Sequence, residues 1–109
     1  MRPVTFSVTG VGTSNVNATD HYVSPYNVAL SVVVTGTITY TVQYTFDNVF
    51  SSTFNASTAT WTDHPSLTSQ STTKDSNIAY PVQGIRLKTT AGTGTATLTM
   101  IQAGGGGLA

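Results

Sequence analysis

The stretch TITYTVQYTF, from Thr37 to Phe46, decides the fold class of this 109-residue chain. Apolar or aromatic side chains occupy every second position, and threonine or glutamine fills each gap. Strict alternation over a run of this length is typical of a β-strand that buries one face. The polar face is unusual, because a strand on a protein surface ordinarily turns lysine and glutamate toward water. The stretch therefore raises two questions: which fold contains this strand, and what its uncharged polar face contacts.

The same period of two recurs along most of the chain. Residues 4–9, 28–35, 85–88 and 95–100 also alternate between apolar and polar side chains. No stretch has the pattern of an amphipathic helix, and the abundant β-branched residues and glycines disfavour helices. Several antiparallel strands with one apolar face each must stack or close. We predict an all-β domain over residues 1–103, a single antiparallel β-sandwich of the jelly-roll or immunoglobulin-like type, with a small β-barrel as the alternative.

Register suggests two hairpins. A three-residue loop at residues 35–37 sets Val34 opposite Ile38, which keeps both apolar sets on one face of a shared sheet. Gly36 suits the left-handed conformation that such loops favour. A loop at residues 91–94 gives the last two strands a matching register. We therefore expect both pairs of strands to be neighbours in a sheet.

Two stretches lack the strand pattern. Residues 51–77 are rich in serine, threonine and asparagine, and contain one expected short strand at residues 59–62. Residues 104–109 follow the last strand as a flexible glycine-rich tail, in which only Leu108 is sizeable. The tail is either a frayed terminus or a tether whose leucine enters an apolar pocket on a neighbouring subunit.

Charge is scarce in this sequence. Four acidic and four basic residues cancel, and only 7% of residues are charged, against about 25% in an average domain. A nucleic-acid partner requires a basic field, so none is expected. Near-neutrality is explained either by a surface that contacts other protein or by a Ser/Thr-rich surface that stays soluble through its hydroxyls. No signal peptide, membrane helix or cysteine pair is evident, which predicts synthesis in a cytoplasm and no membrane partner.

The sequence offers little catalytic chemistry. Thr-Asp-His occurs at residues 19–21 and 62–64, but adjacent side chains on a strand point to opposite faces and cannot chelate together. No serine lies in a Gly-x-Ser-x-Gly setting, and the chain has no glutamate. We therefore predict that the protein is not an enzyme, and that it has no catalytic, cofactor-binding or metal-binding residues.

The aromatic residues divide into two groups. Tyr40, Tyr44 and Phe46 share the apolar face of their strand and are predicted core residues. The others lie near loops and prolines, where they either plug the ends of the sandwich or form a platform for sugar stacking, as in carbohydrate-binding modules. This second group is Tyr22, Tyr26, Trp61 and Tyr80.

Four segments together resemble small β-structured virion proteins of tailed bacteriophages. They are TYTVQYTFDNVF (39–50), TWTDHP (60–65), PVQGIRL (81–87) and GTATLTMIQ (94–102). The resemblance implies a structural protein located in the virion after synthesis in the host cytoplasm, with the major capsid protein or another virion protein as partner. It implies a capsid cement or decoration protein that bridges capsomers, or alternatively a neck, tail or fibre component. A carbohydrate-binding module is the alternative from another class.

Self-association, with a trimer as the favoured form, is expected from the neutral and hydroxyl-rich composition. The candidate partner contacts are side chains of the polar face and two sizeable residues elsewhere. They are Thr39, Thr41, Gln43, Trp61 and Leu108.

Overall fold

The computed structural model of the chain describes residues 4–19 and 27–102. The described residues form β-strands joined by turns and loops, with no helix among them, so the all-β prediction is confirmed. The strands are β1 (Val4–Thr9), β2 (Gly12–Thr13), β3 (Asn17–Ala18), β4 (Val28–Thr35), β5 (Ile38–Thr45), β6 (Thr62–Asp63), β7 (Lys74–Ile78), β8 (Gly84–Gly92) and β9 (Thr95–Gln102). The predicted tail at residues 104–109, with Leu108, lies outside the described residues.

The strands form two antiparallel sheets that pack into a sandwich. The first sheet has the order β1-β9-β4-β7. The second has the order β2-β8-β5-β6, with β3 pairing the other half of β8, so that β2 and β3 act as one interrupted edge strand. Neither sheet closes on itself, which excludes the small barrel for the described strands.

The pairing order identifies the type of sandwich. β1 pairs with β9, β2 and β3 pair with β8, β4 pairs with β7, and β5 pairs with β6. These pairs are successive rungs of one long hairpin, and the further pairs β4 with β9 and β5 with β8 form where that hairpin rolls up. A rolled hairpin of eight strand positions in two four-stranded sheets is a jelly roll. The jelly-roll form of the predicted sandwich is therefore the observed one, and the immunoglobulin-like form is not.

Both predicted hairpins are wrong. β4 lies in the first sheet and β5 in the second, and β8 and β9 are divided in the same way. The connections at Gly36 and at residues 92–94 are corners that cross between the sheets, as is the connection at Gly10. Gly36 does adopt the expected left-handed backbone, with a φ of 76°. The apolar faces of each pair therefore meet across the interior instead of side by side.

The core lies between the sheets and is formed by the inward side chains of both. Tyr40, Val42 and Tyr44 are buried, which confirms the inward half of the alternation in β5. Phe46, predicted to belong to the same apolar face, is 59% exposed because β5 ends at Thr45.

The segment between β5 and β7 is more ordered than its composition indicates. A short strand forms at β6, next to the expected position at residues 59–62, and β7 forms where no strand was expected. After β6 the chain continues along β5, where the Val42 N–H donates to the Leu67 carbonyl at 2.9 Å. Leu67 is fully buried and joins the core. This segment, residues 46–73, positions most of the polar groups described below.

Candidate interaction surfaces

The polar face of β5 is covered by the chain itself. Thr41, Gln43 and Thr45 are only 5%, 9% and 1% exposed. The Thr41 hydroxyl accepts a hydrogen bond from the Ser69 N–H at 2.9 Å, and the Thr45 hydroxyl donates to the Thr60 carbonyl at 2.8 Å. Residues 46–73 thus supply the partners of these hydroxyls.

The prediction of partner contacts is therefore corrected for two residues. Thr41 and Gln43 were expected to face a partner, but both are buried against residues 46–73 of their own chain. Sequence alternation placed them on the polar face correctly, yet it did not show that a later segment folds over that face. Thr39 is half-buried, so part of its side chain remains accessible.

Trp61 belongs to a cluster on the outer side of the second sheet. The guanidinium carbon of Arg86 lies 4.0 Å from the Trp61 ring centroid, which is a cation–π contact. The Trp61 indole N–H donates to the Ala56 carbonyl at 2.9 Å. Trp61 is half-buried, and one ring face is already occupied by Arg86. Its role in the described structure is to hold residues 46–61 against the sheet.

A hydrogen-bonded relay extends this cluster. Arg86 Nε donates to Gln43 Oε1 at 2.8 Å, and Gln43 Nε2 donates to Asp63 Oδ1 at 2.8 Å. The amide therefore bridges a guanidinium and a carboxylate. Burial lowers the pKa of Arg86 from its ordinary value. The relay explains why an amide side chain interrupts the threonines of the polar face of β5.

A second aromatic cluster lies where β5 ends. The Tyr44 ring packs edge-to-face on Phe46 and on Tyr80, each with centroids 5.7 Å apart, and the rings of Phe46 and Tyr80 stack at 6.3 Å. A hydrogen bond of 2.6 Å joins the two tyrosine hydroxyls. This contact and burial raise the pKa of Tyr44 to about 12. Phe46 and Tyr80 are 59% and 44% exposed, so this cluster presents aromatic surface to the outside.

His64 has a structural role in its loop. Its Nδ1 accepts a hydrogen bond from the Ser66 N–H at 3.1 Å, which leaves Nε2 to donate to the Asn77 carbonyl at 2.8 Å. The ring is buried. Both nitrogens are thus engaged by backbone groups, and the loop after β6 is anchored to β7.

Two kinds of feature are absent from the described residues: clusters of metal-ligating side chains and membrane-spanning helices. Within residues 4–19 and 27–102, no three His, Cys, Asp or Glu side chains lie close enough to hold a metal ion. The first Thr-Asp-His copy has Asp20 and His21 outside that part of the chain. None of the described segments is a helix able to cross a bilayer.

The outer side of the first sheet has a different character, and we call it the hydroxyl face. It consists of the outward side chains of β1, β9 and β4, where the burial pattern alternates between inward and outward positions. Eight of these eleven side chains carry a hydroxyl, three are apolar and none is charged. The residues are Thr5, Ser7, Thr9, Thr95, Thr97, Thr99, Ser31, Thr35, Ala29, Val33 and Ile101.

Hydroxyls on this face pair across strands. Three hydrogen bonds join β1 to β9, between Thr5 and Thr99 at 3.1 Å, Ser7 and Thr97 at 2.8 Å, and Thr9 and Thr95 at 3.0 Å. Each pair lies directly opposite in the β1–β9 register. Such pairs stabilise a sheet and hold the hydroxyls in a regular array.

Sequence reasoning missed the hydroxyl face as a candidate site. The alternation in residues 4–9 and 95–100 placed the threonines outward, but it did not pair the first strand with the last. That pairing joins strands about ninety residues apart, and the only local signal is that both are Ser/Thr-rich on their polar sides.

Comparison with known proteins identifies no relative. No protein-family model, no curated protein and no solved structure matches this chain.

Proposed function

We propose that the protein is a non-enzymatic structural protein of a bacteriophage particle, a cement or decoration protein that bridges capsomers of the shell. Its site of action is the virion, and its partner is the major capsid protein or another virion protein. The observation that carries the proposal is the hydroxyl face, an uncharged and ordered surface that the described chain leaves uncovered. The jelly-roll fold supports it, since viral capsid domains use this architecture, although folds of this kind also serve lectins.

The chemistry of the hydroxyl face suits a permanent assembly. Contacts between hydroxyls and methyl groups depend little on ionic strength, whereas exposed ion pairs are screened by salt. A particle must survive changes of salt and drying outside its host. A binding surface without charges keeps its contacts under those conditions, and a bridging protein adds contact area between capsomers that already touch.

The proposal is tested on particles. An antibody raised against the recombinant protein is applied to gradient-purified phage from the organism that encodes the chain, and bound gold label is counted by electron microscopy. Regular labelling of heads supports the cement role, and labelling confined to the neck, tail or fibres transfers the role to that part of the virion. Particles that show no label, and no peptide of this chain by mass spectrometry after disruption, refute the proposal.

A carbohydrate-binding module is the second candidate, favoured by the exposed aromatic pair Phe46 and Tyr80. Their stacked rings resemble a platform for the apolar face of a sugar. Trp61 is less exposed than either of these rings, and Arg86 covers one of its faces. Glycan-array binding that is lost in Phe46→Ala and kept in Trp61→Ala would support this candidate over the virion role.

A further inference from the structure

The described chain covers the outer face of one sheet and leaves most of the outer face of the other sheet open. On the second sheet, residues 46–73 cover the polar face of β5 and bind its hydroxyls. On the first sheet, the hydroxyl face is bordered by β7 and has no covering segment among the described residues. We propose that the hydroxyl face is covered by the same face of a second copy of the chain, related by a two-fold axis.

The chemistry of the face allows it to bind itself. In a two-fold interface one patch meets its own copy, so every charge near the axis would meet a like charge. The outward positions of β1, β9 and β4 carry none. A hydroxyl both donates and accepts, so two identical hydroxyl arrays satisfy each other without a complementary partner surface. Each hydroxyl pair within the sheet uses one donor and leaves the other hydrogen free for the second copy.

The shape of the face is also compatible with self-association. Val33 is 50% exposed and Ile101 is 46% exposed, so each face presents apolar side chains among its hydroxyls. A shallow depression beside Ile101 extends from β9 across β4 to β7, and its lining includes Ala29, Thr99 and the carboxylate residue Asp75. The face therefore offers apolar contact as well as hydrogen bonds to a second copy.

The area available sets the strength of the contact. Three strands spaced about 4.8 Å apart and about seven residues long, at roughly 3.3 Å per residue, make a plane of about 14 by 23 Å. This is roughly 330 Å² before the relief of the side chains is added, while a standard interface buries about 800 Å² on each partner. We expect a weak dimer that forms reversibly with concentration. Asp75 lies on β7, next to Ser31 and beside the depression, at the edge of the face farthest from β1.

Sedimentation velocity on the full chain over a wide concentration range tests the inference. The wild-type protein should shift from the 11.4 kDa monomer toward a species of twice that mass. Thr97→Lys places a lysine near the axis in both copies and should weaken the dimer by about tenfold or more. The matched control is Thr90→Lys, which adds the same charge at an exposed position of the second sheet and should leave the dimer unchanged.

Three results would overturn the inference. They are a wild-type chain that stays monomeric at the highest concentration, a wild-type trimer with no dimer, and equal weakening by the two lysine variants. If Thr97→Lys does not fold, as judged by circular dichroism, Val33→Lys replaces it, because Val33 is half exposed and belongs to no hydroxyl pair. The proposed virion contact uses the same face, so the reversible dimer must separate before that face binds a capsomer. A monomer that still labels phage heads would refute only the dimer.

Discussion

Replacing Gly94 by alanine tests the close approach of the corners that fold one sheet onto the other. A Cβ on Gly94 would lie 2.3 Å from the Thr35 carbonyl oxygen and 2.8 Å from the Thr37 nitrogen, closer than the 3.0 Å below which something must shift. Both obstacles are backbone atoms of the β4–β5 corner, so no side chain can rotate away. Two backbone hydrogen bonds join Gly94 to the other corners. The Gly94 N–H donates to the Thr37 carbonyl at 2.8 Å, and the Gly10 N–H donates to the Gly94 carbonyl at 2.9 Å.

The size of the effect follows from these contacts. Separating the corners costs about 1–3 kcal/mol, as overpacking does. Weakening two backbone hydrogen bonds adds about 0.5–1.5 kcal/mol for each. We expect Gly94→Ala to lower the free energy of unfolding by about 2–6 kcal/mol, a large part of the 5–15 kcal/mol typical of a domain. Gly10→Ala should lose only about 1–2 kcal/mol, because its φ of 68° is strained for alanine but no atom lies within 4 Å of the new Cβ.

Urea unfolding measures the stability lost in each variant. The midpoint of the transition should move to lower urea concentration while the slope of the transition stays unchanged. Gly12→Ala is the control, because its Cβ would make only an ordinary contact of 3.4 Å with Val8 and its φ is not left-handed. It should change stability by no more than about 0.5 kcal/mol. A loss at Gly94 no greater than the loss at Gly10 would show that the corners have room to move apart, and would refute the steric argument.

Three further substitutions test the packing of the second sheet. Thr41→Val should lose about 0.5–1.5 kcal/mol in urea unfolding because the Ser69 N–H loses its acceptor, and Thr41→Ser should lose less; equal losses would contradict the hydrogen-bond argument. The pKa of Tyr44, raised to about 12, means that the folded state holds its proton more tightly than the unfolded state, whose tyrosines titrate near 10. The resulting stability is present below pH 10 and is lost as the pH rises toward 12, and Tyr80→Phe should reduce this loss; an unaltered pH profile would count against the pair. Arg86→Lys should cost about 0.5–2 kcal/mol by weakening the stacking on Trp61, measured by tryptophan fluorescence during unfolding, and an unchanged midpoint would show that the stacking contributes nothing.

The period of two predicted most strands and the inward residues of the core. It could not predict which strands pair. Alternation shows that Val34 and Ile38 are both buried, but two buried faces meet equally well side by side in one sheet or across the interior from two sheets. Glycine at the turn does not decide between them, because a left-handed residue serves a sheet-crossing corner as well as a hairpin.

Two further features lay beyond the local pattern. β7 has the sequence KDSNI, which lacks alternation and β-branched residues except at its end, so only its pairing with β4 makes it a strand. The second feature is the folding of residues 46–73 over the polar face of β5, which depends on contacts between distant parts of the chain. The sequence indicated it only weakly: a 27-residue polar stretch is long for a loop, and it contains Trp61 and Leu67, two side chains that favour burial.

The scarcity of charge follows from the hydrogen bonds that the side chains on the two outer faces make. On the second sheet, threonine hydroxyls accept from or donate to backbone groups of residues 46–73, and on the first sheet they pair with one another. Lysine has no acceptor and an ionised carboxylate has no donor, so neither side chain can fill both roles. Threonine is also β-branched and favours strands, and its methyl group adds apolar contact when a face is covered. Threonine therefore suits both roles at positions where an ordinary surface strand would carry lysine and glutamate: it bonds to backbone groups on the second sheet and pairs with other hydroxyls on the first.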